Sequence, residues 1–123
     1  MSLDTEWTVL RYDTFQSEVL EAQTLVLVDC WASWCSSFQQ INPAIHELAI
    51  ALAGHIKIGR LNIATAEQIA TYYGIRVVPS LLFFHHGQVV LRIVGGVSKE
   101  ELIHKLSPLL SGDRSNRSPI ACL

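Results

Sequence analysis

Short runs of apolar residues alternate along the chain with stretches in which apolar positions recur every three or four residues. The run Leu25–Val28 contains no polar residue, a pattern typical of a strand that is buried on both faces. Further strands are predicted over residues 7–10, 56–63, 81–84 and 89–93. The last two flank His86-Gly87-Gln88, which predicts a hairpin connection.

Four amphipathic stretches are predicted as helices. They span residues 12–21, 33–53, 66–73 and 98–110. Asp13 is the predicted N-cap of the first helix, Pro43 predicts a kink in the second, and Gly54 ends it. Ser98 and Glu101 have the spacing of a capping box at the start of the last helix. The alternation of strands and helices predicts an α/β domain with a mixed sheet and helices on both faces.

The composition is that of one globular domain. The chain has 123 residues, of which 50% are hydrophobic and 16% are charged, and these values exclude a disordered chain. The net charge of -2 gives no basic surface for nucleic acid. No apolar run approaches the roughly 18 residues that a membrane span needs. The first ten residues lack a basic segment followed by an apolar one, so we expect no secretory signal.

Three cysteines lie at positions 30, 35 and 122, which is not the spacing of a disulfide scaffold. A reducing, cytoplasmic location is the simplest interpretation. The cysteine and histidine spacings of zinc sites do not occur, and His85 and His86, being adjacent on a predicted strand, should point to opposite faces. We therefore expect neither a metal nor a cofactor.

The most specific motif spans residues 28–38, which read V-D-C-W-A-S-W-C-S-S-F. It resembles the active-site segment of the thioredoxin family, V-D-F-W-A-x-W-C-G-P-C. Four further segments are similar to family motifs in the same order and spacing: Ile41-Asn42-Pro43 to I-x-P, Arg60–Ile63 to K-L-N-I, Tyr73–Leu81 to Y-G-I-R-x-x-P-T-L, and Gly95–Lys99 to G-A-x-S-K. The likeness covers about residues 6–110.

The resemblance implies a thioredoxin fold, with a five-stranded mixed sheet of order 1-3-2-4-5 flanked by four helices. The strand that begins at Leu25 should be central. We expect residues 1–110 to form a thioredoxin-like domain. Residues 111–123 begin with a polar stretch rich in Gly, Asn, Arg and Ser, and we expect them to form a flexible C-terminal tail.

Cys35 occupies the position of the family's attacking thiol, at the start of a helix, where unpaired N–H groups favour the thiolate. Phe38 stands where the family has the resolving cysteine. Phenylalanine cannot attack a disulfide, so Cys35 has no thiol partner three residues away. We expect Phe38 to be at least partly buried. Ser36 and Ser37 replace Gly-Pro; their hydroxyls could donate to the thiolate, but ordinary capping of the first helical turn is favoured.

Four residues are expected to support Cys35. Asp29 ends a buried strand, so burial should raise its pKa, and its family role in proton transfer to the resolving cysteine has no recipient here. Arg60 replaces the family's lysine and could pair with Asp29, more as a structural than as a catalytic pair. Trp34 should be an exposed contact for an extended peptide, with Trp31 more buried.

Val78-Pro79 matches the family's cis-proline, which implies a cis peptide bond against the sulfur of Cys35 and a free backbone edge at Val78 for an extended substrate. Gly95 and Gly96 either let a peptide approach the backbone closely or serve as turn residues. Cys30 should face away from Asp29 and be buried and inert. Cys122 is either a stray surface thiol or a distant resolving cysteine.

Two functional hypotheses follow. The first is a monothiol protein of redox homeostasis, in which Cys35 attacks a disulfide of a protein or peptide partner and forms a mixed disulfide. Glutathione or another protein or peptide thiol then resolves this mixed disulfide. The second is a non-catalytic binding module that holds an extended peptide in the groove formed by Trp34, Pro79 and Gly95. A purely structural scaffold is disfavoured because Cys35 and the groove motifs are retained. We expect a monomer, although Cys122 leaves a disulfide-linked dimer open.

Overall fold

A computed structural model describes residues 7–34, 43–95 and 98–110. Five strands form one sheet: β1 (Trp7–Leu10), β2 (Leu25–Trp31), β3 (Ile56–Asn62), β4 (Ser80–His85) and β5 (Gln88–Val94). Their order is β1-β3-β2-β4-β5. β3 is parallel to both β1 and β2, whereas β4 is antiparallel to β2 and to β5. The predicted mixed sheet and its strand order are therefore confirmed.

β2 lies at the centre of the sheet and divides the core into two layers. Leu25 and Leu27 pack with residues of the helices α1 (Pro43–Ala51) and α3 (Lys99–Leu110). Val26 and Val28 pack on the other face, in the cluster that includes residues of α2 (Glu67–Tyr72). Because both faces are covered, every residue from position 25 to 30 is buried, and this explains the apolar run in the sequence.

The first predicted helix is shorter than its sequence pattern, and its predicted N-cap is wrong. A π-helical turn spans Gln16–Leu20. Asp13 does not cap it, since the Asp13 carboxylate accepts a hydrogen bond from Arg11 Nε at 3.2 Å. The turn that precedes the helix is closed by Thr14 instead, whose Oγ1 accepts from the Arg11 N–H at 3.0 Å.

The ends of the other helices follow the predicted signals closely. The second predicted helix is described as α1, which begins at Pro43 and ends at Ala51; the kink predicted at Pro43 involves residues outside the described ranges. Gly54, with φ of +88°, closes the turn after α1, and Gly74, with φ of +68°, follows α2. At the start of α3, Ser98 Oγ accepts from the Glu101 N–H and Glu101 Oε1 accepts from the Ser98 N–H, both at 3.1 Å, so the capping box is confirmed.

The hairpin between β4 and β5 turns at His86 and Gly87, which have φ of +52° and +83°. Two successive positive φ values are typical of the tightest hairpin turns. Because His86 leaves the strand to enter this turn, its ring tilts against that of His85 with centroids 4.1 Å apart. The expectation that the two rings point to opposite faces was therefore wrong. None of the described helices is long and apolar enough to cross a membrane.

Candidate functional site

The site predicted from the sequence lies at one edge of the sheet, where β2 and β3 end and β4 begins. Trp31 and Asn62 are register partners at the carboxyl ends of β2 and β3, and Cys30 pairs with Ser80 at the start of β4. In sheets of this kind the loops that leave the carboxyl ends of parallel strands converge. The topology thus brings the segments around Trp34 and Pro79 to the same edge.

Asp29 is a buried carboxyl with one charged partner on the neighbouring strand. Only 5% of the residue is exposed, and Arg60 donates from Nε to its Oδ2 at 3.3 Å. Burial raises the pKa of Asp29 above its usual value, and the charge and hydrogen bond of Arg60 oppose that rise without cancelling it. The predicted ion pair and the predicted direction of the pKa shift are confirmed.

Arg60 also contacts an aromatic ring. Its guanidinium carbon lies 4.8 Å from the centroid of the Trp31 ring, a cation–π distance. Asp29 and Trp31 are two residues apart on β2 and so project to the same face, and Arg60 reaches both. The Arg60 side chain therefore contacts both the Asp29 carboxylate and the Trp31 ring.

The two tryptophans differ in exposure in the predicted direction. Trp31 is partly buried, whereas Trp34, in the turn after β2, is 69% exposed. Trp34 forms one wall of a shallow depression of about 390 Å³ between this turn and α2. Ile63 and Ile75 contribute apolar surface to the depression, and Glu67 contributes a carboxylate at its rim.

Asn62 was not singled out from the sequence as a site residue. Its Oδ1 accepts two hydrogen bonds, from the Ser33 N–H and from the Ala64 N–H, both at 3.1 Å. The turn that carries Trp34 is therefore bonded to the end of β3 and to the 3₁₀ helix Ile63–Thr65 that follows it. The available signal was a carboxamide at the end of a strand, within the segment similar to K-L-N-I.

The loop before β4 contains the second part of the site. The Val78–Pro79 peptide bond is cis, and both residues are partly buried. The Pro79 carbonyl accepts a hydrogen bond from the Gly95 N–H at 2.9 Å, which joins this loop to the end of β5. Gly95 has φ of +89°, and a Cβ built on it would meet no atom of the described residues within 4 Å. Glycine is thus favoured here by its backbone conformation, and the described part of the chain leaves space beside it.

Cys30 lies on the opposite face of β2 from Asp29 and is fully buried. Burial, with a smaller contribution from the Asp29 charge, raises the pKa of its thiol to about 12. Cys30 therefore stays a thiol at neutral pH and is unavailable as a nucleophile, as expected. Six other sequence-predicted residues lie outside the described ranges: Cys35, Ser36, Ser37, Phe38, Gly96 and Cys122. The predicted contact between Pro79 and Cys35 lies outside them as well.

With this geometry in hand, comparison with known proteins identifies the family. The thioredoxin family model matches residues 6–108. The chain belongs to the thioredoxin family. It is 41% identical over 90 residues to Thioredoxin C-2 of Corynebacterium nephridii, across 73% of this chain and 83% of that protein. It is 42% identical over 93 residues to Thioredoxin of Buchnera aphidicola subsp. Schizaphis graminum, across 76% of this chain and 86% of that protein.

A third relative, Thioredoxin 1 of a Nostoc species, is 41% identical over 93 residues, across 76% of this chain and 87% of that protein. Membership of the thioredoxin family supports a thiol–disulfide redox role. Within residues 7–34, 43–95 and 98–110 of this thioredoxin relative, no cluster of three or more His, Cys, Asp or Glu side chains could hold a metal ion.

Proposed function

We propose that this thioredoxin-family protein acts in thiol–disulfide redox homeostasis through one active-site cysteine, Cys35, and that it is weak as a dithiol reductase. The observation that carries the proposal is the sequence Trp34-Cys35-Ser36-Ser37-Phe38, whose first residue lies in the turn at the end of β2. It retains the family's attacking cysteine and replaces the resolving cysteine with Phe38.

The proposed chemistry is one half of a disulfide exchange. The Cys35 thiolate attacks one sulfur of a partner disulfide, forms a Cys35–partner disulfide and releases the other partner sulfur as a thiolate. A two-cysteine site would then break this bond by intramolecular attack, which gains greatly from effective concentration. With Phe38 in that position, a second thiol from solution must attack, and we name glutathione as the candidate. The mixed disulfide therefore persists.

Asp29 takes a changed role in this proposal. In a two-cysteine site the buried carboxyl would exchange a proton with the resolving thiol, and here that thiol is absent. The ion pair with Arg60 and the contact of Arg60 with Trp31 support a role in holding the end of β2. Asp29 remains a candidate proton acceptor for Cys35 itself.

The alternative function is a non-catalytic binding module, and the exposed apolar side chains at the site favour it. Trp34, Val77 and Val94 are all more than half exposed. Val77 precedes the cis-proline loop and Val94 precedes its bonding partner Gly95, whereas Trp34 lies in the turn after β2. An extended partner segment could lie against this surface in the groove of Trp34, Pro79 and Gly95, whether or not Cys35 reacts.

The deciding experiment measures mixed-disulfide formation and turnover separately. The protein is incubated with a peptide disulfide or with glutathione disulfide, and adducts on Cys35 are detected by intact-protein and peptide mass spectrometry. Reduction of a protein disulfide is then followed in a dithiol-recycling assay for wild type, Cys35→Ser, Cys122→Ser and Phe38→Cys. We expect a lasting adduct on Cys35 and turnover far below that of a two-cysteine thioredoxin.

Each contrary result has a defined meaning. Turnover equal to that of an ordinary thioredoxin contradicts the proposal unless Cys122→Ser abolishes it, which would identify Cys122 as the resolving thiol. If no adduct forms on Cys35 and Cys35→Ser has the same turnover as wild type, the redox proposal is wrong and the binding module is the remaining hypothesis. The proposal includes a cytoplasmic location, based on the cysteine pattern, and a monomeric protein. A Cys122-linked dimer on non-reducing gels would contradict the monomer.

A further inference from the structure

Asn62 connects two segments that leave the same edge of the sheet. Its single Oδ1 accepts from the Ser33 N–H, across 29 residues of sequence, and from the Ala64 N–H, two residues away. The Asn62 carbonyl in turn accepts from Thr65 Oγ1 at 3.1 Å, which closes the 3₁₀ helix. The side chain thus satisfies an unpaired amide on each of two separate loops.

Both segments contribute to the depression beside the site. Trp34, which directly follows Ser33, lines it together with Ile63 and Ala64. With 69% of its surface exposed, Trp34 is held only weakly by packing. Its position must therefore depend strongly on the backbone of the turn, and the bond from the Ser33 N–H to Asn62 anchors that backbone.

Capping of the short 3₁₀ helix does not account for the whole arrangement. A side chain that only capped this helix would need the bond from Ala64 and no other. The second bond, to the turn of Trp34, adds nothing to the cap. It ties the turn that carries Trp34 to the end of β3.

We propose that Asn62 is a positioning residue for thiol–disulfide exchange at Cys35: by accepting from the Ser33 and Ala64 N–H groups together, it fixes the turn that carries Trp34, the residue before Cys35 in the sequence, relative to the 3₁₀ helix Ile63–Thr65. The part concerning Cys35 rests on the proposed function, whereas the part concerning Trp34 does not.

The test compares two substitutions of similar size. Asn62→Asp keeps an oxygen acceptor for both amides, and Asn62→Leu removes it. Ile58→Val, in the core on the opposite side of the sheet from Cys30, serves as a control for lost stability. The first measurement is the second-order rate constant for mixed-disulfide formation between Cys35 and a model peptide disulfide. The second is the ¹⁹F resonance of Trp34 in protein labelled with 5-fluorotryptophan, assigned with Trp34→Phe.

We expect Asn62→Leu to lower the rate constant about tenfold, which corresponds to the loss of roughly one hydrogen bond. Asn62→Asp should stay within about threefold of wild type, and Ile58→Val should lower the melting temperature without changing the rate constant. The Trp34 resonance should shift and broaden in Asn62→Leu and return in Asn62→Asp. The proposal would be overturned if Asn62→Asp formed the mixed disulfide as slowly as Asn62→Leu. It would also be overturned if Asn62→Leu, like the Ile58→Val control, lowered only the melting temperature and left the rate constant unchanged.

The two proposals fail in different ways. If wild-type Cys35 forms no mixed disulfide, the proposed redox function is wrong, and the rate constants of the Asn62 variants cannot be compared. The ¹⁹F comparison then decides the role of Asn62 alone. If the ¹⁹F chemical shift of Trp34 is unchanged in Asn62→Leu, the role of Asn62 is overturned. If the shift changes in Asn62→Leu and returns to the wild-type value in Asn62→Asp, the role is supported.

Discussion

Arg60 donates its Nε–H to the carboxylate of Asp29 at 3.3 Å, across a register pair that joins the two central parallel strands. Both side chains are largely shielded from water. A carboxylate in such a position is stable only while its charge is compensated, because desolvation penalises the ionised form. The stability of the sheet therefore depends on the protonation state of the Asp29 carboxyl.

Removal of Arg60 should destabilise the protein measurably. In Arg60→Gln the buried Asp29 carboxyl loses its charged partner, and the expected loss is about 1–3 kcal/mol at neutral pH. Urea unfolding of wild type, Arg60→Gln, Asp29→Asn and the double variant forms a cycle that isolates the pair. The double variant should recover part of the loss. Additive single effects would show that the contact is not energetically coupled.

The raised pKa of Asp29 predicts a specific pH dependence of stability. The folded state binds the proton more tightly than the unfolded chain, whose value is near 3.8, so the contribution of Asp29 to stability is fully present below that pH. It is lost as the pH rises through the folded-state pKa. Asp29→Asn cannot ionise and does not suffer this loss.

We therefore expect the stability of Asp29→Asn relative to wild type to increase between about pH 4 and pH 8. Unfolding free energies measured by urea titration at intervals across this range provide the test. Asp13→Asn, which removes a carboxyl whose side chain is 72% exposed, is the matched control. A relative stability of Asp29→Asn that falls with rising pH would contradict the assignment.

The sequence predicted the central strand and the capping box because each depends on residues close together in the chain. The run from Leu25 to Val28 is apolar because both of its faces are covered, and Ser98 and Glu101 bond to each other's backbone within one turn. The Asp29–Arg60 pair was also predictable, but only through the resemblance to the thioredoxin family.

Two features could not be predicted from local patterns. The first helix was expected to begin at Asp13, yet Arg11 takes the Asp13 carboxylate and Thr14 closes the turn, a competition that spacing alone does not resolve. Asn62 was missed because one of its two bonds joins residues 29 positions apart. Such a contact exists only once the sheet has brought the ends of β2 and β3 together.

The capping box at the start of α3 should contribute to stability independently of the site. Ser98→Ala removes the oxygen that accepts from the Glu101 N–H, and the expected loss is about 1 kcal/mol. Glu100→Gln, in the same turn but outside the capping box, is the control and should be nearly neutral. The measurement is chemical unfolding at neutral pH. Equal effects of the two substitutions would show that the capping bonds are unimportant in solution.

Gly95 and Gly54 offer a matched pair that separates backbone strain from function. Both have φ close to +90°, and at both an added Cβ would meet no atom within 4 Å in the part of the chain that the structure describes. Gly95→Ala and Gly54→Ala should therefore destabilise the protein by similar amounts, about 1 kcal/mol, through backbone strain alone. Gly95 is bonded to Pro79 at the site, whereas Gly54 follows α1.

We expect only Gly95→Ala to slow mixed-disulfide formation by Cys35, because a methyl group there would occupy the open space beside the cis-proline loop. The assay is the adduct rate with a peptide disulfide, and urea unfolding verifies that the two variants lose comparable stability. If both variants slow the reaction equally, the effect is one of stability, and Gly95 has no part in partner binding.

Trp34 gives the most direct test of the contact surface, since its side chain contributes little to the core. Trp34→Ala should leave the unfolding free energy within about 0.5 kcal/mol of wild type, as expected for an exposed position. If Trp34 anchors an apolar segment of the partner, its loss should weaken binding by at least about tenfold, the usual effect of a central aromatic contact.

Tyr72→Ala is the control, because Tyr72 is even more exposed but does not line the depression. Binding of a partner peptide is measured with the Cys35→Ser background, so that no covalent bond contributes. Equal weakening by the Trp34 and Tyr72 substitutions would mean that exposed aromatic surface in general, rather than the site at the sheet edge, captures the peptide.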